Sequence, residues 1–149
     1  MSEIHAIRLH GPWKAILLRR SAEFDSASAE PAIAIGESTR QKIPSTWNDW
    51  LGDSFAGTVA YVRNFNLPTG LEPGQAVFLV VDAAQPSAQV SLNGVLVGEW
   101  QTGDPPLRVE VHERLTRRNE IRIEVSSHSD PTSSPDDAGL TGSVRLEIS

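Results

Sequence analysis

The dipeptide Asn93–Gly94 constrains the fold of this chain more than any other feature of its sequence. It separates two short runs of β-favouring residues, and Asn and Gly tolerate positive φ at both central positions of a type I′ turn. The sequence therefore predicts a two-residue β-hairpin here. Such a turn fixes the register, with Leu92 opposite Val95 and Val90 opposite Val97. These four side chains are predicted to face the core.

Alternation of apolar and polar residues predicts further strands. Ile121, Ile123 and Val125 alternate with charged residues, as on an antiparallel strand with one buried face and one solvent-exposed face. The run Val77–Val81 is apolar on both faces, which favours a central strand covered by a second layer or a long loop. The nine predicted strands are residues 4–9, 15–18, 59–65, 77–81, 89–92, 95–98, 109–111, 121–125 and 144–148, of which 4–9 has the weakest pattern.

The fold class follows from how these strands are spaced. They recur about every 8–12 residues with turn residues between them, and helical spacing is not sustained over more than about two turns. We therefore predict an all-β, antiparallel β-sandwich in a single domain, residues 1–149. Two stretches lack this regular strand spacing. They are residues 21–54, with only a short strand expected near 32–35, and residues 126–141. Long excursions in a compact β domain are either functional or mobile loops.

Charge and composition exclude several classes of partner. Thirteen Lys and Arg against nineteen Asp and Glu give a net charge of −6, which repels nucleic acid and anionic membrane surfaces. Cysteine is absent, so no disulfide or cysteine zinc site is expected. No secretory signal is visible at the N-terminus, which favours the cytoplasm.

Carboxylates are concentrated in the two long loops. Asp49 and Asp53 lie in the first loop, and Asp130, Asp136 and Asp137 in the second. Such residues solvate a loop, hold a structural calcium ion or contact a ligand, and a carboxylate pair at the right separation can hydrolyse a glycoside. No cofactor is expected, and calcium remains an alternative.

Two tryptophans lie close together in the first loop, among polar neighbours. Trp47 and Trp50 flank Asn48 and Asp49. An indole face stacks on the C–H surface of a sugar ring while amides and carboxylates bind its hydroxyls, so this pattern is typical of a sugar site. The alternative is that one of the tryptophans plugs the end of the core.

About 100 residues of the chain resemble the N-terminal sugar-binding domain of family 2 glycoside hydrolases, the β-galactosidase and β-glucuronidase group. The best single signature is Val90-Ser91-Leu92-Asn93-Gly94 followed by Val97-Gly98. The matching stretches read KIPSTW (42–47), FAGTVAYVRNFNL (55–67), VFLVVDAAQPSAQVSLNGVLVG (77–98), RNEIRIEV (118–125) and GLTGSVRLEI (139–148).

The resemblance implies a jelly-roll sandwich of the galactose-binding-like type. In that family, two loops approach the sugar from one end of the sandwich, and they correspond here to residues 47–54 and 127–137. The catalytic glutamates of the family lie in a separate (β/α) barrel that this sequence does not contain, so the resemblance implies no hydrolase activity. The family pattern is not kept at Thr141-Gly142-Ser143, where the family has a bulky residue and often an Arg.

The sequence thus predicts a non-catalytic carbohydrate-binding module with its ligand at the loop end. Trp47 or Trp50 would be the stacking platform, and the hydroxyl partners would be Asn48, Asp49, Asp53, His128 and Asp130. The alternative is a structural or protein-interaction sandwich that has lost sugar binding and pairs through a sheet face or edge.

Overall fold

The computed structural model describes residues 5–9, 13–20, 35–47, 57–127 and 139–149. These contain ten strands and a short 3-10 helix, His112–Arg114. The strands are β1 His5–Arg8, β2 Trp13–Arg20, β3 Ser38–Gln41, β4 Gly57–Asn66, β5 Val77–Val81, β6 Ser87–Leu92, β7 Val95–Gln101, β8 Leu107–Glu110, β9 Arg118–Ser126 and β10 Val144–Ile148.

The strands form two antiparallel sheets that face each other. One sheet has the order β1-β10-β5-β8, and the other has the order β3-β2-β4-β9-β6-β7. The inner faces contribute a single buried cluster, which includes Leu79 and Leu146 from the first sheet and Tyr61 and Ile123 from the second. The predicted all-β, antiparallel sandwich of jelly-roll type is confirmed, with one strand more than the nine expected.

The Asn93–Gly94 hairpin forms as predicted, but its register is only partly the predicted one. Leu92 pairs with Val95 as expected, whereas Val90 pairs with Gly98 and not with Val97, because a bulge shifts the ladder. A bulge places one extra residue on one strand, so every pair beyond it moves by one position.

The prediction that all four apolar hairpin side chains face the core is also wrong. Val95 is 48% exposed and its neighbour Leu96 is 52% exposed, while Leu92 is buried. The reason is the position of β7, which pairs only with β6 in the described part of the chain and forms the edge of its sheet. An edge strand has no neighbour to cover its outer side.

Strand β5 is an inner strand, as its two-sided apolar pattern predicts. It pairs with β10 on one side and β8 on the other. Its outward residue Val80 is only 2% exposed, and its register partners on that face are Arg145 and Arg108. The Arg108 guanidinium also lies 3.7 Å from the centroid of the Phe78 ring. Long arginine stems therefore cover the outer face of β5, in place of the second layer or loop expected.

Strand β3 was not predicted from the sequence. Its four residues, Ser38–Gln41, are polar, and none carries an apolar side chain that would reveal a buried face. They form a strand because β2 offers a free edge, with Trp13 pairing with Gln41. The short strand expected near residues 32–35 lies mostly outside the described residues, and Ile35 itself is in a turn.

Candidate functional site

The two long loops meet the sandwich at the same end, which we call the loop end. The first loop leads into the start of β4, and the second follows the end of β9. Thr58 and Ser126 are register partners there, and the Ser127 amide donates a hydrogen bond of 2.8 Å to the Gly57 carbonyl. Antiparallel pairing of β4 with β9 thus brings together the described residues that flank the two loops in which a sugar site is expected.

Trp47 is a core residue, which corrects its prediction as a stacking platform. Its side chain is 0% exposed, and its indole N–H donates a 3.1 Å hydrogen bond to the hydroxyl of Tyr61, itself fully buried on β4. An indole with no accessible face cannot stack on a ligand. Trp47 instead plugs the core, which was the alternative prediction.

The other predicted site residues lie outside the described part of the chain. They are Asn48, Asp49, Trp50, Asp53, His128 and Asp130. They therefore stay predictions, and so does the calcium site in the same loops. Their flanks, Trp47 on one side and Ser127 on the other, are both buried.

Two buried hydroxyls lie on described segments beside the two long loops, one beside each, and no sequence pattern indicated them. The Oγ of Ser45 and the Oγ1 of Thr141 are inaccessible and have no hydrogen-bond partner among the described residues. The Ser45 amide donates to the Leu140 carbonyl at 2.9 Å, so the two segments that carry the hydroxyls touch. A buried unpaired hydroxyl costs about 1–3 kcal/mol, so such groups mark places where an additional polar partner would be stabilising.

A charged network lies beside these segments, on the outer face of the four-stranded sheet. The Arg145 guanidinium donates to Asp82 at 2.9 Å and to Glu147 at 3.0 Å, and the Ser143 hydroxyl donates to Asp82 at 2.6 Å. Arg108 also pairs with Glu147, at 3.2 Å. Sequence alternation predicted that Arg145 and Glu147 share the outer face, but nothing in it indicated Asp82, which lies 63 residues away.

This network moves the pKa of its acids downwards. Partial burial works to raise the pKa of Asp82, but the hydrogen bonds from Ser143 and Arg145 and the charge of Arg145 outweigh it. The hydrogen bond from Arg145 is the largest influence on Glu147 and lowers its pKa. The same contacts raise the pKa of Arg145, the hydrogen bond to Asp82 contributing most. All three groups therefore favour their charged forms at neutral pH.

The network makes a testable contribution to acid stability. A carboxyl whose pKa is lower in the folded state stabilises the fold above its unfolded pKa, and this contribution is lost as the pH falls through the folded value. We expect Arg145→Gln to lower the free energy of unfolding by about 1 kcal/mol at pH 7, and to flatten its decline between roughly pH 5 and pH 2. Urea unfolding at a series of pH values measures both effects.

The matched control is Arg122→Gln on β9. Arg122 pairs with Glu124 at 3.1 Å in the same Arg-x-Glu arrangement, and both side chains are more than a third exposed. We expect its loss to change the stability by about 0.5 kcal/mol or less. Equal effects of the two substitutions across the pH series would contradict a special role for the Asp82–Arg145 network.

The described residues contain no group of three or more His, Asp or Glu side chains arranged to hold a metal ion. No helix in the described ranges has the length and apolar character needed to cross a bilayer.

Comparison with solved structures identifies the same fold in segments of larger enzymes. No protein-family model matches the sequence, and no curated protein matches it. The structure of Bifidobacterium dentium β-glucuronidase complexed with coumarin-3-O-glucuronide matches 100% of this chain at 21% identity, with a TM-score of 0.72. The β-D-glucuronidase of Dictyoglomus thermophilum also matches 100%, at 19% identity and a TM-score of 0.72. A putative β-galactosidase from Bacteroides fragilis matches 97% at 21% identity, with a TM-score of 0.70.

The match covers only a small part of each enzyme. This chain spans 31%, 29% and 23% of those three chains, respectively. At these identities the likeness shows a shared fold, and the fold is that of one small part of glycoside-cleaving enzymes.

Proposed function

We propose that this protein is a non-catalytic carbohydrate-binding module whose ligand lies at the loop end of the sandwich. The observation that carries the proposal is the pairing of β4 with β9, which brings the flanks of the two long loops to one end of the sandwich, with the Ser127 amide 2.8 Å from the Gly57 carbonyl. The likeness to β-glucuronidases and a β-galactosidase over the whole chain makes a sugar the ligand class to test first.

The burial of Trp47 changes the composition of the proposed site. Trp50 takes the role of stacking platform, because Trp47 presents no free indole face. Asn48, Asp49 and Asp53 from the first loop supply hydroxyl partners, and His128 and Asp130 supply them from the second. In a shallow site with one aromatic platform, the favourable binding free energy only slightly exceeds the cost of ordering the ligand and the loop side chains. We therefore expect weak, millimolar binding.

The proposal contains no hydrolytic step. The chain spans about a fifth to a third of the enzymes that it matches. The carboxylates of the two loops act in this proposal as hydroxyl acceptors, because an acid and a nucleophile for glycoside hydrolysis must be held at a fixed separation of about 5–10 Å.

A titration of the 149-residue chain tests the proposal. Methyl β-D-galactopyranoside and methyl β-D-glucuronide are added separately, and binding is followed by tryptophan fluorescence and calorimetry. We expect Trp50→Ala to weaken binding of the bound sugar by about two- to tenfold, because one stacking contact contributes about 0.5–1.5 kcal/mol. Asp130→Asn should weaken it by a smaller factor.

Glu72→Gln is the control, since Glu72 is an exposed carboxylate between β4 and β5, away from the two long loops. It should leave both affinity and melting temperature unchanged. If neither sugar binds up to millimolar concentrations, or if Trp50→Ala binds as tightly as the unaltered protein, the loop-end proposal is wrong.

One observation favours a second candidate function, that of a protein-interaction domain. Val95 and Leu96 are both about half exposed and lie side by side on the edge strand β7. An exposed apolar edge can pair with a strand of another chain. Sedimentation of the full chain, with Leu96→Lys as comparison, separates this function from sugar binding, because only self-pairing depends on protein concentration.

A further inference from the structure

A cleft of about 320 Å³, lined mostly by residues with polar side chains, lies at the end of the sandwich opposite the loop end. Four asparagines, Phe65, Arg118 and Glu120 line it, and we call it the amide cleft. It is built where β4 ends and β9 begins, with Asn66 as the register partner of Arg118. Its volume falls within the range of small-molecule sites, about 300–1,000 Å³.

One half of the amide cleft is fixed by internal hydrogen bonds. Asn119 is 2% exposed, and its amide oxygen accepts from the Thr116 amide at 2.8 Å and from the Asn93 side chain at 3.0 Å. Its own amide group donates to the Thr116 carbonyl at 2.9 Å. The side-chain oxygen of Asn93 accepts from the Glu120 amide at 2.8 Å. Asn119 is thus a buried amide whose oxygen and nitrogen both have partners, and its hydrogen bonds hold the exposed Asn93 and Thr116 in place in this wall.

The other half carries polar groups without internal partners. Asn64 lies opposite Glu120, and Asn66 lies opposite Arg118, on the outer face of the β4–β9 ladder. All four residues are exposed. Within the described part of the chain, the hydrogen bonds to Asn64, Arg118 and Glu120 involve their backbone groups, and the side chains of all four residues make no hydrogen bond or ion pair. Directly opposed side chains share one face of a sheet, so the two amides, the guanidinium and the carboxylate form one patch.

Arg118 and Glu120 form no ion pair in the described part of the chain; Arg108 and Glu110 do not pair with each other either, but Arg108 pairs with Glu147 instead. Residues two apart on a strand share a face, and the same Arg-x-Glu pattern closes at Arg122–Glu124, at 3.1 Å, and at Arg145–Glu147, at 3.0 Å. Among the described residues, only the Arg-x-Glu pair in the amide cleft has both members unpaired. Its donors and acceptors are available to a ligand.

We propose that the amide cleft is a second carbohydrate-binding site, for a neutral pyranoside. A sugar hydroxyl both donates and accepts, so it can accept from the Arg118 guanidinium, donate to the Glu120 carboxylate, or do both with the amides of Asn64 and Asn66. One positive and one negative side chain give the patch no net charge, which favours an uncharged ligand over a uronate. The site goes beyond the loop-end proposal, because it lies at the other end of the sandwich and shares no residue with it.

Amide chemical shifts of the uniformly ¹⁵N-labelled 149-residue chain test this site. Methyl β-D-glucopyranoside is titrated as the neutral probe, and methyl β-D-glucuronide as its anionic counterpart. We expect saturable shifts at Asn64, Asn66 and the residues of β9 from 118 to 120 with the neutral probe, and at least threefold weaker binding of the anionic one. The double variant Arg118→Gln/Glu120→Gln should weaken binding at the cleft tenfold or more, since both charged hydrogen-bond partners are lost.

Arg122→Gln/Glu124→Gln is the matched control, because it removes the same two residue types, two positions further along β9, where they pair with each other. It should bind the neutral probe as the unaltered protein does. All four substitutions are at solvent-accessible positions on the outer face, so both variants are expected to fold, and their melting temperatures check this.

The location of the shifts separates the two proposals. Shifts confined to residues 48–56 and 128–138 would overturn the amide cleft while supporting the loop-end site. Shifts confined to the amide cleft would support the amide cleft and contradict the loop-end site. The amide cleft is also refuted if no shift occurs there up to tens of millimolar probe, or if the double variant binds unchanged.

Discussion

Trp47→Ala is expected to lower the free energy of unfolding by about 3–5 kcal/mol, the usual cost of removing a fully buried large aromatic side chain. Trp47 has no exposed surface, and its indole N–H is bonded to the buried Tyr61 hydroxyl. The substitution leaves a cavity in the core and removes a partner of that hydroxyl. Urea unfolding of the full chain, followed by far-UV circular dichroism, measures the loss.

Two further variants keep this prediction testable if Trp47→Ala does not fold. Trp47→Phe retains much of the ring volume, and we expect it to cost about 1–3 kcal/mol. Tyr61→Phe removes only the hydroxyl and should cost about 1 kcal/mol. If Trp47→Ala left stability within 1 kcal/mol of the unaltered protein and abolished sugar binding, Trp47 would be a ligand contact after all.

Gly139→Ala is expected to destabilise the protein by about 2–4 kcal/mol, for two reasons that add. Gly139 has a φ of +136°, a conformation that L side chains rarely adopt. A Cβ there would also lie 2.6 Å from the Ser45 carbonyl oxygen and 3.2 Å from the Trp47 amide nitrogen. Both neighbours are backbone atoms, so no side-chain rotation relieves the clash. The melting temperature and the urea midpoint report the change.

Gly103→Ala is the matched control for the backbone conformation alone. Gly103 also has a positive φ, +97°, but a Cβ at this position meets no atom within 4 Å. We expect it to cost about 1–2 kcal/mol, the ordinary penalty of the left-handed region. If Gly139→Ala cost no more than Gly103→Ala, the close packing of the Ser45–Trp47 segment on Gly139 would not contribute to stability.

The strands were predictable where their local pattern matches their surroundings. Ile121, Ile123 and Val125 alternate with charged residues because β9 has one face in the core, and all three are fully buried. The run Val77–Val81 likewise indicated an inner strand. Both predictions use only the period of two that side chains have on a strand.

Predictions that depended on neighbours distant in sequence were less accurate. Val95 was predicted to be buried because it pairs with the apolar Leu92 across the hairpin. However, β7 forms a sheet edge and leaves Val95 exposed. The polar strand β3 forms only because β2 has a free edge beside it. Neither the sheet order nor the position of an edge is encoded in a local pattern.

The candidate sites were also predictable only as far as local sequence properties define them. The sequence alone predicted a sugar site from two polar loops and two tryptophans, since composition and spacing are local properties. It could not distinguish Trp47 from Trp50, because burial depends on the Tyr61 hydroxyl fourteen residues away and on the sheet behind it. The amide cleft was missed entirely, since it requires β4 and β9 to be paired in register.

The sequence by itself determined the all-β class, most of the strands and the Asn93–Gly94 turn, because these follow from side-chain alternation and turn chemistry over a few residues. Only the tertiary structure decided which side chains meet. It placed Trp47 in the core, joined Asp82 to Arg145 and left Arg118 and Glu120 unpaired beside two asparagines. Burial and pairing are properties of contacts between distant segments, and those contacts exist only once the two sheets have packed together.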